Sequence, residues 1–509
     1  MLQVKNLSIS HTRDLHILCE NLSFVLNYGD KAALIGEEGN GKSTLLKLIY
    51  DEELVENYAE YSGEIVKGNT VFGYLSQETE EKDKEKTVKD FCEEKGFSAL
   101  SPYDIYNISQ EVGLPSEIFE SDRKMSTLSG GEKVKIRMAV VLAKNPDMLL
   151  LDEPSNDIDI ETLEWLENFI NYCGLPVLFI SHDETLLENT ANMIIHMEQL
   201  RRKTVARCTV SKTDYRTYVN ERICGFEKQE QKARSDKREF DAKMEKYRKI
   251  YQKVEHQQEN ISRQDPAGGR LLKKKMHSVK SMGRRFEKEK DNLTQMPESE
   301  EAILLRFGED AAVPSGKNVA DINIAELYAG EKLVSENIKL NISGSEKICI
   351  IGKNGAGKTT LIKEIAKSLL ERTDIKAVYM PQNYEDGFDL SKDPTELLAK
   401  GGTKEERTKI KTYLGSIKFT SEEMEHPAKE LSGGQKAKLF FAKIALGDYN
   451  VLILDEPTRN LSPLSNPEVR DVLKNFGGAI ISVSHDRKYI SEVCEKVYRL
   501  TEKGLERVK

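Results

Sequence analysis

The sequence predicts an α/β chain built from two copies of one domain, with an antiparallel α-helical hairpin between the copies. Three observations carry that expectation. Four short motifs occur twice in the same order, and three of them are displaced by the same 303 residues. Each motif set is threaded through short, continuous apolar runs of the kind that form buried parallel strands. Between the copies, roughly residues 210–298, those runs give way to an apolar seam at coiled-coil spacing that is broken once.

Length and composition set the frame. A chain of 509 residues is too long for one core, so two or three domains are expected. Charged residues make up 32% and the net charge is −9, which taken alone argues against a nucleic-acid partner. No stretch approaches the roughly 18 apolar residues that cross a bilayer, so no membrane span is expected. Met1 to Lys5 reads as the start of a strand, without the apolar core of a signal peptide. The cysteines (Cys19, Cys92, Cys173, Cys208, Cys224, Cys349 and Cys494) form no CxxC pair and no metal-ligand spacing. They read as ordinary thiols of a reducing compartment, and a cytoplasmic protein is expected.

The first motif opens each copy. Apolar runs 31–35 and 347–351 end in Gly36-Glu37-Glu38-Gly39-Asn40-Gly41-Lys42-Ser43 and Gly352-Lys353-Asn354-Gly355-Ala356-Gly357-Lys358-Thr359. Helical patterns follow from Thr44 and Thr360. Strand, glycine loop and helix form the context in which backbone N–H groups close around phosphates, helped by the positive end of the helix. ATP is the expected ligand. Lys42 and Lys358 are placed to reach the β- and γ-phosphates, and Ser43 and Thr359 to ligate Mg²⁺.

The apolar runs 148–151 and 451–454 end in Asp152-Glu153-Pro154 and Asp455-Glu456-Pro457. Asp152 and Asp455 are expected to bind Mg²⁺, and Glu153 and Glu456 to polarise the attacking water. His182 and His485 close a further apolar strand at equal offsets from these carboxylates, which favours γ-phosphate sensing over a purely structural histidine. Gln77 and Gln382, at the ends of segments 72–76 and 378–381, are candidate partners for Mg²⁺ and water.

The remaining motif is Leu128-Ser129-Gly130-Gly131-Glu132, repeated as Leu431-Ser432-Gly433-Gly434-Gln435. A serine and two glycines opening a helix make a second anion-binding end, and one domain has no use for two of these on one phosphate. This set resembles the ABC ATPase family, in which each nucleotide lies between the P-loop of one domain and the signature helix of the other. The resemblance covers nearly all of residues 1–205 and 300–509. It implies two ABC-type P-loop ATPase domains, taken as 1–207 and 300–509, in a monomer that is an internal pseudo-dimer. Ser432, Gly433 and Gly434 then complete the site built on Lys42, while Ser129, Gly130 and Gly131 complete the one built on Lys358. Tyr328 is the candidate adenine-stacking residue of the second half and His11 a weaker one in the first. After Glu153 the chain keeps the family pattern as far as Asp159. After Glu456 it places Ser462 in that slot, so two hydrolysis-competent sites of unequal speed are expected.

The intervening segment, taken as 208–299, belongs to neither copy. Phe240, Met244, Tyr247, Tyr251 and Val254 alternate in steps of four and three, and Leu272, Met276, Val279, Gly283, Phe286 and Leu293 form a second seam. Pro266, Gly268 and Gly269 lie between them, so a hairpin tip is expected near 262–270, with the proline and glycines breaking the helix. Residues 226–292 carry 20 Lys and Arg against 12 Asp and Glu, a net of +8 that leaves −17 for the rest. Arg263, Arg270, Lys273, Lys274, Lys275, Lys280, Arg284 and Arg285 face one acid, Asp265, across 263–285. Such a run can be a solvated helix face. An acidic chain with one basic segment also suits a contact with a phosphate backbone.

Tandem ATPase domains around a helical hairpin, without a membrane domain, resemble the ABC-F proteins. That resemblance implies binding at the ribosomal E site, with the hairpin reaching toward the P-site tRNA and the peptidyl-transferase centre. The long linker and the stretch 455–463 are similar to the subgroup that confers antibiotic resistance by ribosome protection. A housekeeping translation factor of the same family, a DNA-associated ATPase and the fused ATPase subunit of a membrane importer stay open as alternatives.

Overall fold

Runs of four or five apolar residues with no polar alternation belong where both faces of a sheet are covered. The computed structural model, which describes residues 1–200, 203–260, 266–298 and 312–509, uses them that way. In the first half, strands Met148–Leu151, Val177–Ile180 and Lys31–Ile35 are buried along their whole length. They form the middle of a six-stranded sheet that runs, edge to edge, Phe72–Leu75, Met148–Leu151, Val177–Ile180, Lys31–Ile35, Met193–Leu200 and Val205–Ser211. The second half repeats the order with Ala377–Met380, Val451–Asp455, Ala479–Val483, Lys347–Ile351, Lys496–Thr501 and Gly504–Arg507. In both sheets every pair is parallel except the last, which is an antiparallel ribbon.

A parallel sheet of this order places its strand ends, and the loops after them, along one edge where ligands of open α/β sheets bind. Smaller antiparallel sheets flank the P-loop helices: three strands (Ile17–Leu26, Leu2–His11, Ala59–Val66) in the first half and two (Asn318–Ala329, Lys332–Ser343) in the second. Their inward faces join the core through Leu18, Leu22 and Phe24 on one side and Leu327, Val334 and Ile338 on the other.

By contacts the chain divides into Met1–Tyr215 with Glu300–Lys509, and Arg216–Ser299. The last strand of the first sheet runs to Ser211, so the first ATPase-type domain extends past residue 207, and a helix opens at Tyr215.

The second unit is a pair of helices, Tyr215–Glu259 and Pro266–Asp291, of 45 and 26 residues. At 1.5 Å per residue they are about 68 and 39 Å long. The expected seams meet: Val254, Met276 and Val279 are buried together with Tyr247 and Tyr251 packed against them. Phe286 meets Phe240 and Tyr247 edge-on at 6.5 and 5.7 Å. Gly283 is small because Tyr247 crosses it; a Cβ there would lie 2.5 Å from the tyrosine oxygen. One expectation is corrected. Gly268 and Gly269 do not break the helix but lie inside its first turns, and Pro266 opens it, where a missing N–H costs nothing. Residues 261–265, with Arg263 and Asp265, lie outside the described residues.

Candidate active sites between the two halves

Each P-loop turns into its helix through a glycine with φ near +90°: Gly41 at 86° and Gly357 at 90°. A side chain would be strained there and would strike the flanking sheet, Leu18 at 2.9 Å in one half and Val334 at 2.6 Å in the other. The helices Lys42–Tyr50 and Lys358–Leu370 start at the lysines themselves. Lys42 Nζ donates to the carbonyls of Gly36 and Glu37 at 2.9 Å, and Lys358 Nζ to those of Gly352 and Lys353 at 2.8 and 2.9 Å. Both ammonium groups thus sit inside the loop, over the ring of N–H groups that an anion would use.

The carboxylates follow the second strand of each sheet. Ser43 Oγ donates to Asp152 Oδ1 at 2.8 Å, and Tyr74 donates to Oδ2 at 3.2 Å. In the second half both oxygens of Asp455 are buried without a hydrogen-bond partner, and burial pushes its carboxyl up to about 6, with Thr359 opposing. A hydroxyl beside a buried, under-satisfied carboxylate at a P-loop is the oxygen-donor set that suits Mg²⁺. Glu153 and Glu456 share an unusual backbone, with φ of 48° and 55°. Two glutamates in the left-handed region at equivalent positions are strained backbone of the kind that clusters at functional sites.

Around Glu153, Gln77 Nε2 donates at 3.0 Å, Asn156 donates as well, and His182 Nε2 lies 3.3 Å away. Burial alone would raise this carboxyl; His182 and the Lys42 charge outweigh it and hold it at about 2. Glu456 accepts from the His485 backbone N–H at 3.2 Å, with the ring Nε2 3.7 Å away. Burial, then the charge of Asp455, pushes Glu456 up to about 8, and burial holds His485 down near 4.

The signature residues arrive from the opposite half. Ser129, Gly130, Asn354, Lys358, Thr359, Gln382, Asp455, Glu456 and His485 line one cavity of about 820 Å³. Ser129 caps helix Gly130–Leu142 and Ser432 caps helix Gly433–Leu446, each through a capping box with the residue three further on, Glu132 and Gln435. Across the junction Asn354 Nδ2 donates to the Asp157 carbonyl at 2.6 Å, and His182 Nδ1 lies 2.9 Å from the Leu461 carbonyl. At the other P-loop the Gly434 N–H donates to Glu38, and Ser465 Oγ donates to Glu37 Oε1 at 2.8 Å.

The Asp159–Ser462 difference has a local consequence. Asp159 caps helix Ile160–Tyr172 by accepting from the Thr162 N–H. On the 303-residue repeat Ile160 corresponds to position 463, yet the second-half helix opens only at Asn466: Ser462 Oγ accepts the Leu464 N–H at 3.3 Å instead of capping a helix, and Pro467, which a helix opened at 463 would hold in its interior, sits in the first turn.

Tyr328 is about half exposed and gives its hydroxyl to Glu326 at 2.8 Å, while its neighbours Ala329 and Lys332 line the cavity. His11 is engaged with Tyr58, its Nδ1 3.2 Å from that residue's carbonyl. Arg270, Lys273, Lys274, Lys275, Lys280, Arg284 and Arg285 are all exposed along the return helix.

Sequence reasoning missed the ion pairs that join the halves. Arg470, 4% exposed, holds both oxygens of Glu184, and its Nε meets Glu492 at 2.8 Å. Lys488 reaches Glu184 at 3.2 Å and Glu188 at 2.6 Å, and Arg487 reaches Glu167 at 2.9 Å and Asp183 at 3.2 Å. All three cations belong to the second half and the acids, Glu492 apart, to the first. The available signal was compositional: Arg487-Lys488 stands where the first copy has Glu184-Thr185.

Two P-loop domains whose strand ends, strained glutamates and signature helices meet across one junction define a two-site P-loop ATPase. The family model described as ABC transporter matches residues 19–156 and 335–459. Similar relatives include the ABC transporter F family member 2 of Arabidopsis thaliana, 27% identical over 545 residues (96% of this chain, 74% of that protein). The ribosome protection protein VmlR of Bacillus subtilis is 28% identical over 504 residues (94% and 83%). Among solved structures, an archaeal ribosome recycling factor, aABCE1, superposes with a TM-score of 0.59 at 16% identity, over 99% of this chain and 90% of that one. That likeness concerns the fold. The chain belongs to the ABC transporter family and, within it, is an ABC-F ATPase. No helix among the described residues is long and apolar enough to cross a membrane.

Proposed function

We propose that this ATPase is a cytoplasmic ribosome-binding protein whose helical hairpin contacts ribosomal RNA and the P-site tRNA, and that it protects ribosomes from inhibitors of the peptidyl-transferase centre. The observation that carries this reading is the exposed cationic run from Arg270 to Arg285, on the hairpin of a chain that is otherwise acidic. A relative named for ribosome protection, matched along nearly the whole chain, supports the same reading. A housekeeping translation factor of the same family is the second reading, in which the same cationic helix would contact ribosomal RNA.

In the proposed cycle the Lys42 and Lys358 loops hold ATP phosphates by backbone N–H groups and the lysine ammonium. Ser43, Asp152 and Gln77, and Thr359, Asp455 and Gln382, are the oxygen donors for Mg²⁺, which would neutralise phosphate charge when bound. Ser432, Gly433 and Gly434 close on the Lys42 nucleotide, and Ser129, Gly130 and Gly131 on the Lys358 nucleotide. Glu153 and Glu456 orient and polarise the attacking water, and His182 and His485 contact the γ-phosphate. Closure selects the ribosome-binding form by its differential contacts, and hydrolysis releases it.

The reading is tested by expressing the chain in a sensitive bacterium and measuring growth against peptidyl-transferase inhibitors, beside chemical footprinting of purified ribosomes with the protein and a non-hydrolysable ATP analogue. Ribosomal protection plus raised drug tolerance supports the full reading. A footprint without tolerance favours the translation factor, and neither effect removes the ribosome from the account.

A further inference from the structure

Of the four positions at which the two P-loops differ, the second and third change charge, and that difference reaches across the molecule. The second loop carries Lys353 and Asn354. Lys353 is exposed and meets Glu161 at 3.2 Å, and the neutral amide of Asn354 bonds the Asp157 carbonyl at 2.6 Å. The first loop carries Glu37 and Glu38. Glu37 is 7% exposed and is held at 2.8 Å by Ser465 Oγ and at 3.1 Å by Lys438 Nζ, both from the opposite half. Burial works against its charge, but the Lys438 ammonium and the Ser465 hydroxyl prevail and keep it ionised. So anchored, the loop presents Glu38 to the helix capped by Ser432: its Oε2 accepts the Gly434 N–H, and a Cβ on Gly433 would lie 2.9 Å from the same oxygen.

That helix start is an anion-binding end, and a carboxylate already fills it. We infer that Glu38 is an internal competitor for the terminal phosphate of ATP at the Lys42 site, so that this site discriminates less in favour of ATP over ADP than the Lys358 site does. The inference rests on the proposed completion of the Lys42 site by Ser432 to Gly434. A γ-phosphate entering there must displace Glu38 from the Gly434 N–H or share the helix end with it, two anions at one partial positive charge. ADP leaves that end to Glu38 and meets no such opposition.

The test uses the purified full chain without ribosomes, with the Lys358 site silenced by Lys358→Ala. Binding of a non-hydrolysable ATP analogue and of ADP, each with Mg²⁺, is measured by titration calorimetry. Glu38→Asn, which copies Asn354, is expected to tighten the ATP analogue about tenfold and to move ADP by less than about twofold. The reciprocal Asn354→Glu change, in a Lys42→Ala background, is expected to weaken the analogue about tenfold at the other site and spare ADP. Equal shifts for both nucleotides, or none in either variant, overturn the inference while leaving the site assignment standing. If the Lys358→Ala chain binds no nucleotide that a further Lys42→Ala change removes, the assignment of the Lys42 site fails, and the inference with it.

Discussion

At the Lys42 site Glu37 and Glu38 reach Lys438, Ser465 and Gly434 of the opposite half; at the Lys358 site the same positions are Lys353 and Asn354, whose links are an exposed ion pair and one amide bond. The loops that cross to each site differ in the same sense. The Lys358 site receives the loop capped by Asp159, and the Lys42 site receives the loop with Ser462, whose helix starts late. Two copies of one motif set can therefore divide their work, one P-loop clasped through buried carboxylate contacts and the other through an exposed ion pair and an amide bond. Sequence identity within motifs does not make the sites equivalent; what lies opposite them decides.

That contrast can be broken at several points. The largest effect expected is on turnover: Glu456→Gln lowers ATP hydrolysis about 10³-fold, whereas Glu153→Gln lowers it less than about tenfold. Equal losses, read by phosphate release, would remove the division of labour. Next comes stability. Arg470→Ala strips the buried Glu184 of its main partner and is expected to cost about 3 kcal/mol in denaturant unfolding. Lys353→Ala, in an exposed pair, is expected to cost less than about 0.5 kcal/mol. Similar values for the two would mean that the junction is not held by its buried ions. Replacing Lys273, Lys274 and Lys275 with Gln is expected to weaken ribosome binding about tenfold at moderate salt and to lower the slope of log affinity against log salt by about 2. An unchanged slope would make the return helix a spacer. The smallest effect sharpens the comparison of the crossing loops: Asp159→Ala costs about 1 kcal/mol through its lost helix cap, and Ser462→Ala costs less.

Much of this was legible in the sequence because the carriers are local. A P-loop is a strand, a tight glycine turn and a helix in one unbroken stretch of sequence, and both copies adopt that form at Gly41 and Gly357. The hairpin seam was legible for the same reason, since Val254, Met276 and Val279 announce themselves by spacing. The glycines near the tip misled because propensity ranks them as breakers, whereas Pro266 fixes the helix start and the glycines follow within it. What could not be read was the junction. Glu38 and Gly434 are 396 residues apart, and Ser465 and Glu37 are 428 apart. No periodicity connects such pairs; they meet only where the two halves pack against one another. Comparing Glu37-Glu38 with Lys353-Asn354 would have flagged the position, but not the helix end it meets.

One measurement bears on the whole account: the doubly substituted Glu153→Gln, Glu456→Gln chain, loaded with ATP and Mg²⁺, mixed with purified ribosomes and run on a sucrose gradient. The account predicts that the protein co-migrates with ribosomes when ATP is present and stays at the top when it is absent. Migration at the top under both conditions would contradict it, whatever the ATPase activity of the unsubstituted chain.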